Sequence, residues 1–417
     1  MTFCTNCSRK RRAAVAPMAA LLMALLVGML AFSIDIGYIC SVQAELQDAA
    51  DAAALAGAQQ LQNFFVAYYS PGQTQQQQIY LQITTDTTNP ISPIPTAQRY
   101  AAYNQAGGVY IQVPATDISF SYYDGATFSA PSYSNNLFPN TITVITRRDN
   151  IANGPLPLFF AKIFGISTIN LTATASATIY AGDVTSLQVI PGVNAHILPV
   201  ALDMNVWTNF ASGNFTFVNG SFSSNSPYLT SNNVTTGPNG LPQLQVYPTN
   251  ANTPGSFGLI DVGVPSNSTP AFRNWIDDGS TPNDITYLLN NNLLPVSPSN
   301  PPAWKCGPGL KSTLLSNFQS AMGESNLIPL FQPYSPLPNY IAANGTGQNA
   351  TYAVVGFAGV TISQADGSGN AGMTIAVQPA AIVDPTAVIL NASPARASQL
   401  TVFGTPQTTF VSAKLTQ

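Results

Sequence analysis

Charge is scarce in this chain. Only 7% of its 417 residues are Asp, Glu, Lys or Arg, against about 25% in an ordinary soluble domain. Thirteen basic residues set against seventeen acidic ones exclude the basic footprint that nucleic-acid binding needs. A single histidine, His196, excludes multi-histidine metal sites and leaves one imidazole for acid–base work. What is abundant is apolar and turn-forming: 45% hydrophobic residues, 33 Pro and 30 Gly. The length predicts two or three domains with real cores. The composition is that of an exported structural chain.

The few charges are unevenly placed. Arg9, Lys10, Arg11 and Arg12 form a basic tip, and no acid precedes Asp35. The remainder carries nine basic and seventeen acidic residues, a net −8. Directly after the tip, Ala13–Ile34 supplies 22 uncharged residues. As a helix these span about 33 Å, enough for a hydrocarbon core of about 30 Å. Pro17 falls in the first turn, where its missing N–H costs little. The positive-inside rule then keeps residues 1–12 cytoplasmic and puts everything after Ile34 outside. The rival reading is a cleaved signal peptide. Its apolar region would be longer than usual, and Ala31-Phe32-Ser33 is a mediocre cleavage site. Ala20, Ala24 and Gly28 recur at i, i+4, i+8, a small-residue stripe open to self-association with another helix.

Beyond the span, Asp35, Gly37 and Tyr38 form a D-x-G-Y exit. It leads into Glu45-Leu46-Gln47-Asp48-Ala49-Ala50-Asp51-Ala52-Ala53-Ala54-Leu55-Ala56-Gly57-Ala58. These are good helix formers, and no proline lies between Ala19 and Ser70, so one rod is predicted to about Phe65. Leu46, Ala50, Ala53 and Gly57 make a small-faced stripe suited to close packing against the following sheet or another subunit. Basic tip, apolar helix, exit and Ala-rich run together resemble the N-terminal segment of the TadG-like family of tight-adherence (Flp) pilus-assembly proteins, over residues 11–60. The resemblance implies a pilin-like helix laid across a sheet and partners in pilus assembly. No acid interrupts residues 13–34, unlike the apolar helix of a type IV prepilin, so an anchored accessory role is expected rather than that of the main pilin.

The remaining pattern predicts an α+β protein. A Gln-rich loop, Ser70–Gln78, precedes strands at Val109–Val113, Ile118–Tyr123 and Thr141–Thr146. A short apolar helix is expected at Leu156–Phe164, and a Thr/Ala-rich strand at Ser167–Tyr180. This gives a basic tip (1–12), a transmembrane helix (13–34), an Ala-rich helix (35–66), a pilin-like α+β module (67–182) and a β-rich module (183–417). The last is sandwich-like or irregular. Strands are expected there at Phe215–Val218, Phe257–Val262, Tyr352–Phe357, Gly359–Ser363 and Met373–Val377, with helices at Pro270–Trp275 and Leu310–Ala321. Ile328-Pro329-Leu330-Phe331 and Val354-Val355-Gly356-Phe357-Ala358-Gly359-Val360 are similar to the ending of some TadG-like proteins.

Motifs that would carry chemistry are weak. Asp117-Ile118-Ser119-Phe120-Ser121 matches the D-x-S-x-S of von Willebrand A-type metal sites but alternates as a strand. Cys4-Thr5-Asn6-Cys7 is half a zinc site with no second pair. Cys40 and Cys306 would share an oxidising compartment, which makes them a candidate disulfide. His196 sits in a strand-like apolar context, seven residues before Asp203 and with no nucleophile elbow in the chain. Asp277-Asp278-Gly279 and Asp366-Gly367-Ser368 have the composition of ordinary turns and lack a full calcium-loop spacing. The sequons at Asn214 and Asn344 matter only in a glycosylating host.

The sequence thus predicts a non-catalytic, single-pass protein of a bacterial inner membrane, with no cofactor and its bulk extracytoplasmic. Its partners are the lipid bilayer and other pilus-assembly or envelope proteins. The alternative is a surface adhesin binding glycans or cells through patches around Trp207, Trp275 and Trp304. A hydrolase using His196 is the third reading.

Overall fold

The computed structural model describes residues 15–68, 75–135, 137–218, 221–247, 258–266, 268–307, 312–345, 349–367, 373–393 and 410–416. The basic tip, the Cys4/Cys7 pair and part of the Asp366 loop lie outside them. An α+β architecture is observed. A single helix, α1, runs Val15–Tyr68 over 54 residues, about 80 Å. Its first third exposes Met18, Leu21, Leu22, Met23, Leu25, Leu26, Met29 and Leu30. From Val42 onward one face is buried: Val42, Leu46, Ala49, Ala50, Ala53, Ala54, Ala58, Leu61 and Phe65. The 3–4 residue spacing keeps these side chains on one side of the helix.

That face lies on an antiparallel sheet built around strand Leu171–Leu187, which pairs with Thr141–Arg148 and, through it, with Ile118–Tyr123. Ala173, Ala175, Ala177, Ile179 and Ala181 alternate inward toward α1, as strand geometry requires. Alanine on both surfaces brings helix and sheet close together. A Cβ added at Gly57 would come within 2.5 Å of Ile142 Cδ1 and 3.4 Å of Ala97 Cβ. Polar bonds fix the register: Thr146 Oγ1 donates to Leu46 O at 2.9 Å, and Gln43 Nε2 to Thr172 O at 2.8 Å. On the same strands, the hydroxyls of Thr141 and Thr178 bond at 2.8 Å, as do those of Thr143 and Ser176. Helices α2 (Gln76–Thr85) and α3 (Pro93–Ala101) cover the far end of α1. The choice left open for the small-faced stripe resolves to the sheet.

A second core draws its buried residues from between Val184 and Ala387. Its sheet has the order Val234–Thr236, Pro242–Tyr247, Met373–Pro379, Thr351–Gly367, Ser325–Gln332, Leu202–Asp203, with Ala303–Lys305 also on Thr351–Gly367. All pairs are antiparallel except the last in that order. Trp207, Trp304, Tyr247, Tyr352, Phe272 and Phe331 are fully buried in this core.

Several expectations change. Leu156–Phe164 is a hairpin limb and a 3-10 turn rather than a helix, because Pro157 and the short apolar run cannot sustain one. Of Val109–Val113 only Val109–Tyr110 is strand. Tyr352–Phe357 and Gly359–Ser363 are one strand, since the intervening Ala358 keeps its place in the ladder opposite Ile328. Residues 258–262 make isolated bridges, Leu259 to Val200 and Ile260 to Cys306. Leu310–Ala321 shortens, among the described residues, to a 3-10 turn and the helix Leu315–Ser320. The expected break after Gly182 falls inside strand Leu171–Leu187. Strands Ala387–Ser393 and Phe410–Leu415 return to that same strand, so the chain's last described segments complete the first sheet.

Candidate membrane-anchoring site

The site is the stretch of α1 where exposed apolar surface gives way to a buried seam. Ala20, Ala24 and Gly28 lie on the exposed part, and a Cβ added at Gly28 would meet nothing within 4 Å. Asp35 ends that part. It is only 3% exposed, and its carboxylate accepts the backbone N–H groups of Phe159 at 2.8 Å, Phe160 at 2.9 Å and Ala161 at 2.6 Å. Burial alone would raise its pKa, but the three amides and the nearby Lys162 outweigh that, and the net shift is downward. Gly37 faces open space, while the Tyr38 ring meets that of Phe159 at 5.1 Å. Both residues of the pair Asp35 and Tyr38 therefore hold one hairpin tip against α1.

Farther along, Glu45 accepts the backbone N–H of Gly107 at 2.7 Å, and Gln47 donates to Asp51 at 2.8 Å. Ala56 and Gly57 complete the seam, Ala52 is half-buried, and Leu55 points outward. The family-like run is thus a packing seam with a polar back.

The held tip is the part that sequence reasoning missed. Leu156–Pro157 pairs with Thr168–Ile169, and the turn Ala161–Phe164 closes the hairpin. Gly165 ends the turn at φ +85°, a conformation that suits glycine. Phe159, Phe160, Ile163, Phe164 and Ile166 are all exposed. The available signal was a run of apolar residues too short for a helix and lacking a polar face.

The other candidates are dispersed. Asp117 accepts two bonds from Arg147, Nε at 2.7 Å and Nη2 at 2.5 Å, at the start of strand Ile118–Tyr123. The D-x-S-x-S is therefore an ion-paired strand. Cys40 is exposed on α1, whereas Cys306 is buried in the second core with its thiol pKa pushed up to about 12 by burial and by Asp261. The two are free thiols, and the candidate disulfide between them is not formed.

His196 is exposed between the bridging residues Ala195 and Ile197, and its backbone N–H donates to Asp384 at 3.0 Å. Asp203 is buried elsewhere in a different role: it caps a helix through the Asn205 N–H at 2.7 Å and accepts the Tyr340 hydroxyl at 2.6 Å. Those two residues line a cavity of about 320 Å³ with Tyr228, Asn233 and Phe331. Burial raises the pKa of both members of the pair. Trp207, Trp275 and Trp304 are all buried; Trp275 donates to Asp284 and Trp304 to Leu293 O. They form core, so their rings are not presented to a glycan.

Two stretches of the chain match known families. Residues 13–60 match a family model described as Flp pilus-assembly TadE/G-like, and residues 82–177 match one described as Tad-like Flp pilus-assembly. The first covers the exposed span and most of the seam; the second covers α3, strands Ile118–Tyr123 and Thr141–Arg148, and the start of Leu171–Leu187. No curated protein and no solved structure matches the chain.

Proposed function

We propose, from the matches at residues 13–60 and 82–177, that the chain is a TadG-like, non-catalytic, single-pass inner-membrane component of Flp pilus assembly. The first 20 or so residues of α1 anchor it in the bilayer. The remainder of the helix, locked to the sheet, carries both modules outside the cytoplasm. The observation that carries this reading is the continuity of α1: one helix is apolar and exposed up to Ile34, then small-faced and buried from Val42. Among the described residues it is the one helix long and apolar enough to cross a membrane. One continuous helix sets the spacing between the apolar span and the sheet, which suits a part of an assembly machine. Partners are other pilus-assembly proteins, met through a surface whose solvation rests largely on Asn, Gln, Ser and Thr.

The test is removal of the gene followed by complementation with the intact chain or with an α1-seam variant such as Leu46→Asp. Loss of surface pili in the deletion, restored by the intact chain alone, supports the assembly role. Normal pili with lost cell attachment would instead support the adhesin alternative. Truncation at residue 183 is unsuitable, because strands Ala387–Ser393 and Phe410–Leu415 belong to the first sheet.

A further inference from the structure

We propose that the hairpin tip Phe159–Ile166 is a second membrane contact, inserting Phe159, Ile163, Phe164 and Ile166 into the extracytoplasmic leaflet beside α1. This rests on the reading of α1 as membrane-spanning. The side chains are wasted in water where they stand: Ile163 is 79% and Phe164 76% exposed. Clustered exposed apolar residues mark an interaction surface, whereas single ones do not.

Three observations choose lipid as the occupant. The first is level. Asp35 grips the tip at Phe159, Phe160 and Ala161, and Ala31, one turn into the apolar span, is half-buried, as is Gly28 a turn before it, while the other residues from 16 to 34 are exposed. The tip therefore stands beside the last turn of the 22-residue span, continuous with its apolar surface. The second is charge. No acidic residue occurs between Asp149 and Asp183, in a body whose net charge is negative, and Lys162 sits within the tip. A lysine between apolar side chains suits the phosphate layer of a bilayer, with its stem in the acyl boundary and its ammonium at the headgroups. The third is backbone satisfaction. Ile163 N–H bonds Phe160 O at 3.0 Å, Gly165 N–H bonds Lys162 O at 3.0 Å and Ile166 N–H bonds Ala161 O at 3.1 Å. With the Asp35 bonds, the turn enters the interface with most of its donors paired, which lowers the cost of leaving water.

The consequence is mechanical. A lone helix leaves the body free to tilt and spin about one axis. A second contact, clamped to that helix by Asp35, fixes which face of the body looks along the membrane plane.

The test uses the full chain in vesicles of phosphatidylcholine and phosphatidylglycerol, with Cys4, Cys7 and Cys40 replaced by Ser. Nitroxide labels are placed one at a time at Ile163→Cys, Phe164→Cys, Leu26→Cys and Tyr334→Cys, with Ile166→Cys as a further tip position should either of the first two fail to fold. Collisions with oxygen report lipid, and collisions with a water-soluble nickel chelate report water. The expected result is a several-fold higher oxygen-to-nickel ratio at 163 and 164 than at 334. Water-type collisions at the tip with lipid-type collisions at 26 overturn the second contact and leave the anchor standing. Shielding from both reagents at the tip means that protein covers it and also overturns the proposal. Water-type collisions at 26 overturn the anchor reading and this inference with it.

Discussion

The Asp35 carboxylate accepts the Phe159 backbone N–H at 2.8 Å across 124 residues of sequence. It ties the point where α1 stops being exposed to a hairpin that the chain makes much later. Asp35→Ala is expected to release the tip without unfolding the seam, which begins two turns farther on at Val42. Amide exchange at Phe159, Phe160 and Ala161 should accelerate, while that of Thr141–Arg148 stays at the wild-type rate. Hydrogen exchange read by mass spectrometry on the detergent-solubilised chain checks this. Equal acceleration in both segments would mean that Asp35 supports the whole module.

The same bond set predicts an acid response. A carboxylate whose folded pKa lies below its unfolded value contributes stability that is fully present above the unfolded value, about 3.9, and is lost as pH falls through the folded one. Asp35 is of this kind. So is Asp86, lowered to about 2 by the Thr88 and Asn89 backbone N–H groups and the Thr88 hydroxyl. The tip and the loop before α3 should therefore keep their protection as pH drops through 4, losing it only lower. Exchange rates measured from pH 6 down to pH 2 report it, and loss of protection centred at the ordinary carboxylate value would contradict the assignment.

Gly57 sets the distance between α1 and the sheet. A Cβ there would sit 2.5 Å from Ile142 Cδ1, the mobile end of a side chain. Gly57→Ala should be close to neutral, since the shift of Ile142 is offset by a helix-propensity gain of about 1 kcal/mol. Gly57→Leu has nowhere to go and should cost about 3 kcal/mol, at the upper end of overpacking penalties. Thermal melting by circular dichroism distinguishes the two, and equal melting temperatures would show that the seam is loose.

Much of this arrangement is legible in the sequence. The rod from the apolar span through the Ala-rich run needs only helix propensity and the lack of proline. The stripe of Leu46, Ala50, Ala53 and Gly57 shows that something must approach closely. The strands Ile118–Tyr123 and Phe215–Val218 follow from alternation alone. What local patterns do not hold is who meets whom. Strands 387–393 and 410–415 pair with Leu171–Leu187 across some 200 residues, and nothing near either end announces it. Leu156–Phe164 departs from the expected helix for a related reason: a short, mostly apolar run reads as a helix unless the element that holds it as an exposed turn is known. The tryptophans, which the adhesin alternative would place in surface patches, are core, because aromatic side chains in a polar, Asn-rich stretch can fill that stretch's interior.

Cys40 and Cys306 provide a check on sidedness. Cys40 is exposed on α1 just past the apolar span, and Cys306 is buried. A membrane-impermeant maleimide added outside spheroplasts should modify Cys40 and leave Cys306 untouched until the protein is denatured. Mass spectrometry of the tryptic peptides reads both. Modification of Cys40 only after the cells are opened would reverse the proposed topology.

The ion pair at Asp117 offers a separate test of what that motif is for. Arg147 bonds Asp117 with two nitrogens and Asp149 with a third at 3.1 Å, and the Arg147 and Asp117 side chains are 15% and 8% exposed. Removing the arginine strands the Asp117 carboxylate beside the first sheet, whereas Asp149 keeps the Ile151 and Ala152 N–H groups. Arg147→Met should therefore cost about 3 kcal/mol, the lower end of the penalty for breaking a buried pair. Asp117→Asn in the same chain should recover part of that loss, since the stranded charge is then gone. A metal-site reading makes the opposite demand: freeing Asp117 from Arg147 would create a better ligand, and Arg147→Met should then melt higher in millimolar magnesium than in chelator. Equal melting temperatures in both solutions, with the rescue by Asp117→Asn, leave the D-x-S-x-S as a strand whose first residue is held by an arginine.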